Sequence, residues 1–144
     1  MVVRLLAASI VGGIAFFILG FLIYGLLLDP MVMKPNMISY PGLMNETPIW
    51  VPLVLANIVN ALLLAYIFDT WAGIRTFMGG LRGGAVVMFL IALAMQLFFA
   101  SFMNLSKNFT PAIADIVGST VLGAIGGGVI GQVLGMMNKD GASA

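Results

Sequence analysis

Few side chains in this sequence could do chemistry, and most of those are amides or lone carboxylates set among apolar residues. Asp115 stands about one turn into the last apolar run, on the same helical ridge as Ser119 and Gly123. A carboxylate at such a depth can bind a cation or carry a proton. It can equally anchor a helix N-terminus, where the macrodipole favours negative charge, with Lys107 or Asn104 as the expected partner. Asn57 and Asn60 are three apart in the second apolar run, so they lie near one face; Gln96 is midway along the third, and Gln132 is in the fourth. Amides of this kind hydrogen-bond between helices. Lining one cavity with Asp115, they would make a polar path for an ion or proton.

Other chemistry is sparse. The segment 29–47 holds Met31, Met33, Met37 and Met44, whose thioethers are soft ligands of the type that hold Cu(I). Val32, Ile38, Tyr40 and Leu43 surround them, so the expectation is an apolar flap over the helix ends and no metal site. Asp29, Glu46 and Asp115 fall toward this same end and Asp69 toward the other, leaving no obvious carboxylate pair for acid–base work. The chain has no cysteine and no histidine, which removes disulfides, thiol nucleophiles, histidine bases and histidine-ligated metals or haem. The glycine-rich stretch 70–82 follows no strand and lacks the lysine of a phosphate-binding loop. Arg75 and Arg82 within it suit lipid phosphates. No enzyme activity and no cofactor are therefore expected.

The elements that hold these residues are legible from the composition. Apolar residues make up 62% of 144 positions and charged ones 8%, with mean hydropathy +1.15. A water-facing domain carries about a quarter charged residues, so most of this surface must face lipid. A net charge of +1 argues against nucleic acid as a partner. Charges divide the chain into four apolar runs, 5–28, 48–68, 83–105 and 111–137. Each exceeds the roughly 20 helical residues that a bilayer core requires. Thr47-Pro48 and Thr110-Pro111 read as helix starts. Arg4, Arg75, Arg82 and Lys139 share one side, against Lys34 and Lys107 on the other, which places both termini in the cytoplasm. Trp50 and Trp71 fall near opposite interfaces.

The fourth run carries the most specific pattern. Ser119, Gly123, Gly127, Gly131 and Gly135 recur every four residues, leaving a nearly smooth strip along one side of a helix. Another helix can approach such a strip closely, either within the chain, where Ala8, Gly12, Gly13, Gly20 and Gly25 make the first run a plausible partner, or across a homodimer.

The layout resembles the DUF1761 family of small bacterial four-helix membrane proteins. The points of likeness are Gly20, Phe21, Leu22, Ile23, Tyr24 and Gly25 closing the first run, the methionine-bearing stretch after it, Gly80, Gly83 and Gly84 opening the third, and the small-residue last helix. Ile23 stands where the family typically has tryptophan. The resemblance implies a compact four-helix unit and no catalytic role. The expectation is a single-domain, all-α, glycine-packed bundle of four transmembrane helices in a bacterial cytoplasmic membrane. It would meet lipid and either itself or a membrane-protein partner, as a structural or accessory subunit. The alternative is a small transporter or ion- or proton-conducting protein using Asp115, Asn57, Asn60 and Gln96.

Overall fold

The computed structural model describes residues 2–45 and 47–143, with side chains described as far as 138; Glu46 and the side chain of Lys139 lie outside the described residues. Four helices are long and apolar enough to cross a membrane. They are α1 (Val2–Asn36), α2 (Trp50–Ala72), α3 (Phe77–Phe102) and α4 (Thr110–Ser143). Hydrogen bonds run inside each helix, so the backbone is satisfied within the segment.

Their ends differ from the charge-punctuated runs for local reasons. The first run was expected to stop before Asp29-Pro30, yet α1 continues to Asn36. It does so by widening, from Phe21 to Met33, into π-helical turns, and the Lys34 N–H donates to Asp29 O, five residues back. In an α-helix the ring of Pro30 would meet the carbonyl four residues earlier; a wider turn relieves that clash. The first eight residues of the expected loop, 29–36, are thus helical. Thr47-Pro48 does not start α2, whose N-cap is Ile49 without a side-chain hydrogen bond. The α2 helix ends at Gly73, whose φ of 65° is the left-handed value that glycine adopts freely. The α3 helix begins six residues before the expected 83, because Thr76 caps it by accepting a 3.0 Å hydrogen bond from Gly79 N–H.

The chain alternates up and down, so one end gathers Arg4, Asp69 and Arg75, and the other gathers the segment 37–49 and the connection 103–109. At the second end Ile38 N–H donates to Leu105 O at 2.8 Å, Lys107 N–H donates to Asn36 O at 2.7 Å, and the Tyr40 hydroxyl donates to Asn104 O. The segment after α1 is therefore stitched down as a cover. Met31 and Met44 are both exposed, one on the helix and one in the turn, while Met37 bridges to Ser106.

Side by side the order is α2, α1, α4, α3. The α4 helix is central, and α3 packs almost wholly against it. The core joins α1, α2 and α4 through Phe16, Ala61, Leu64, Phe68, Ile130 and Leu134. On its other side α4 meets α3 backbone to backbone. A Cβ built on Gly84 would fall 2.9 Å from Gly127 Cα and on the carbonyl of Gly123; one on Gly80 would fall 3.1 Å from Gly131 Cα. Arg75, in the α2–α3 connection, closes over Gly135, where an added Cβ would lie 3.0 Å from its carbonyl carbon. By contrast, a Cβ on Gly20 would meet nothing within 4 Å.

Gly84→Ala is therefore expected to destabilise the protein by about 2–3 kcal/mol, since backbone cannot move aside as a side chain can. Gly20→Ala should be neutral or stabilising by about 0.5–1 kcal/mol through helix propensity. Thermal unfolding of both variants in mild detergent checks this, and equal effects would mean that α3 and α4 do not touch at Gly84.

Candidate functional site

Three polar side chains from within the helices, Tyr24, Ser119 and Gln96, gather at Asp115. Tyr24, in the widened part of α1, donates its hydroxyl to Asp115 Oδ1 at 2.9 Å and lies 3.1 Å from the Asp115 carbonyl oxygen. Ser119 Oγ is 2.7 Å from Tyr24 Oη. A phenol has one proton, so with Tyr24 donating to the carboxylate, Ser119 donates to Tyr24. From α3, Gln96 Nε2 donates to Asp115 Oδ2 at 2.7 Å. Three helices are thus tied through one carboxylate whose two oxygens each accept a hydrogen bond.

The widened stretch of α1 helps to set this geometry. Leu28, Ile23 and Tyr24 all crowd Gly118, where an added Cβ would be 2.8 Å from Leu28 Cδ1 and 3.3 Å from Tyr24 Oη. A glycine there lets the phenol reach the next turn of α4. Charge is not balanced by a cation: among the described residues no lysine or arginine pairs with Asp115. Lys107, expected as a partner, instead extends its Nζ to Pro35 O at 3.5 Å. Among the described residues Asn104 makes no hydrogen bond to Asp115 either; its backbone carbonyl accepts from Tyr40. Asp29 pairs with Lys34 at 3.7 Å on an exposed part of α1 and, among the described residues, does not meet Asp115.

Of the four residues proposed for a polar path, only Asp115 and Gln96 touch. Asn57 turns its amide back on its own helix, donating to Leu53 O at 2.8 Å. Asn60 is exposed. Both line a groove of about 530 Å³ between α1 and α2, walled by Phe17, Phe21, Trp50 and Leu53 and reaching Tyr24. Gln96 lines a separate cavity of about 310 Å³ under the 103–109 connection, with Asn104, Ser106, Lys107 and Asn108 at its rim. The hydrogen-bonded set of Gln96, Asp115 and Tyr24 lies between these two spaces. Of the α4 ridge, Ser119 joins the polar set, while Gly123, Gly127, Gly131 and Gly135 face α3 and the connection before it.

A second charged cluster, absent from the sequence expectations, closes the opposite end. Asp69 is buried, its side chain 1% exposed, between Arg4 and Arg75. Arg4 reaches it with Nε at 3.3 Å and Nη2 at 3.4 Å. Arg75 Nη1 approaches Oδ1 at 2.6 Å but makes no aligned hydrogen bond, so that contact is mainly Coulombic. The cluster joins α1, the end of α2 and the α2–α3 connection. Arg82, read from the sequence as part of a turn, is an exposed residue within α3.

In chemical terms the Asp115 set can hold a proton or a small cation, or can simply hold helices together. It does not activate a nucleophile, because Ser119 gives its proton to a phenol and not to a base. Among the described residues no three acidic side chains are gathered to hold a metal. No family model matches the chain, and no curated protein or solved structure is similar enough to it to be counted a match.

Tyr24→Phe should cost about 0.6–2 kcal/mol, the range for one hydrogen bond between membrane helices. The combined Tyr24→Phe, Asp115→Asn variant should lose less than the sum of the two single losses. Asp69→Asn should cost more, about 3 kcal/mol, because it leaves two arginines facing each other without their shared anion. Unfolding midpoints of the purified variants check all three, and strict additivity for the first pair would show that Tyr24 and Asp115 are not coupled.

Proposed function

We propose that this chain is a non-enzymatic integral membrane protein whose four helices cross a bilayer as a glycine-packed unit and serve as a structural or accessory subunit, alone as a homo-oligomer or within a larger assembly. The observation that carries this reading is the closed hydrogen bonding of Asp115. Both carboxylate oxygens are taken by donors from other helices, and the asparagines that would have continued a path lie apart from it. A residue so engaged fastens helices; a transport path needs groups free to exchange partners. Close glycine contacts between α3 and α4 support the same reading, because in lipid small residues are what allow helices to adhere.

The placement of charge supports an orientation with both termini in the cytoplasm. Arg4, Arg75 and Arg82 gather at the end where α1 begins and α2 ends, with Lys34 and Lys107 at the other. Lipid and another membrane protein are the partners this surface suits.

One observation favours a second reading, a small ion- or proton-conducting protein. Asp115 has no cationic neighbour among the described residues, and the cavity lined by Gln96 brings polar groups to its partner.

Purified protein in proteoliposomes separates the two. The structural reading expects proton and monovalent-cation flux at the level of protein-free vesicles, unchanged by Asp115→Asn. Flux in the native chain that Asp115→Asn abolishes, with folding retained, would replace it by the conducting one. Orientation is checked with single cysteines in this cysteine-free chain. Ser39→Cys should react with an impermeant maleimide from outside intact cells, and Thr70→Cys only after lysis.

A further inference from the structure

The α2 helix carries an amide that the structure leaves without a partner. Among the described residues the side chain of Asn60 forms no hydrogen bond, and the residue is exposed. It lies ten residues past Trp50, the start of α2, or about 15 Å along the helix, which is the middle of a hydrocarbon layer about 30 Å thick. Acyl chains offer no hydrogen bonds at that depth, so an amide pointing into them is costly. Gln132 is also exposed, but it lies toward the end of α4, near interfacial water.

Asn60 belongs to a shaped surface. Leu53, Ala56, Asn57 and Asn60 follow the spacing of a single helical face and line the groove between α1 and α2. The groove exists because these helices touch at one end and diverge toward the other. A Cβ on Gly12 would lie 3.0 Å from Ala61 Cβ, and one on Gly13 would lie 3.1 Å from Ile58 Cα, whereas at Gly20 there is open space.

We infer that a second copy of the chain docks along this face of α2, pairing Asn60 with its counterpart. If the chain spans the bilayer as proposed above, both copies share one topology, so their two-fold axis runs along the membrane normal. Equal depths then face each other across that axis, and Asn60 meets Asn60. An amide is both donor and acceptor, so two of them satisfy each other reciprocally, which is what an isologous interface requires. A phospholipid headgroup stays at the interface and does not reach this depth. The other dimer surface offered by the sequence, the glycine ridge of α4, is already covered by α3 and the α2–α3 connection.

The absence of native cysteine permits a direct test that leaves the asparagines intact. Ala56→Cys, on the docking face, should form a disulfide-linked dimer on mild oxidation in native membranes. Leu90→Cys, on the exposed side of α3, should not. Adding Asn60→Leu to Ala56→Cys should weaken the association about tenfold, as expected for losing a reciprocal pair of amide hydrogen bonds. Asn60→Gln should retain it. Resistance to alkaline carbonate extraction, scored on the same membranes, reports separately whether the protein is integral. Integral protein that fails to cross-link at 56, or that cross-links there regardless of Asn60→Leu, overturns the interface and leaves the membrane reading in place. So does a monomer that retains a bound amphiphile in native mass spectrometry.

Discussion

Between two helices in hydrocarbon there is no water to expel, so adhesion comes from atoms brought into close contact and from hydrogen bonds that lipid cannot replace. In this protein the close contact is concentrated where Gly80 and Gly84 of α3 lie against Gly123, Gly127 and Gly131 of α4. Most of the remaining architecture depends on it. The α3 helix has little other support, since it packs almost wholly on α4. Gln96 can reach Asp115 only because the two helices run so near each other. Placed further apart, the same amide and carboxylate would each need another partner.

The two polar clusters act at opposite ends of this contact. Near one end, Tyr24 and Gln96 bring α1 and α3 to the same carboxylate on α4. At the other, Arg4 and Arg75 hold Asp69 and so clamp the start of α1 to the end of α2 and the connection beyond it. The apolar core of Phe16, Leu64, Phe68 and Ile130 lies between α1, α2 and α4. Phe16 occupies the space left by Gly126, where an added Cβ would fall within its ring, 2.6 Å from Phe16 Cδ1 and closer still to Cε1. The ridge and its flanking glycines therefore serve two neighbours at once, one through backbone and one through an aromatic ring.

What was legible in the sequence follows from which signals are local. Four long apolar runs broken by charges announce four helices, because helix length and hydropathy need no knowledge of neighbours. The repeat from Ser119 to Gly135 marked one side of α4 but could not name what meets it, since Gly80 read as part of the turn before the third run and Gly84 only as a residue opening it, while the small residues of the first run offered a partner. Asp115 was visible as an ionisable residue at depth. Its partner Tyr24 is 91 residues away and reads as one more aromatic in an apolar run, though it is the only phenol there. Asp29-Pro30 looked like a helix end because proline normally breaks an α-helix, and the π-helical widening that tolerates it leaves no simple periodic trace. The Arg4, Asp69 and Arg75 cluster was hidden for a different reason. Each charge had an adequate local explanation as an interfacial residue, so nothing called for their meeting.

The measurement that bears most directly on this account is the proximity of α3 and α4. With ideal geometry a Cβ on Gly123 lies 2.5 Å from Met88 Cβ, so even after relaxation of about 1–2 Å two cysteines there remain within disulfide reach. The account predicts that the Met88→Cys, Gly123→Cys protein, oxidised in mild detergent, forms an intramolecular disulfide in nearly every folded chain, read by intact mass after alkylation. Folded protein with both thiols still free would contradict it, and with it the helix order on which the Asp115 cluster depends.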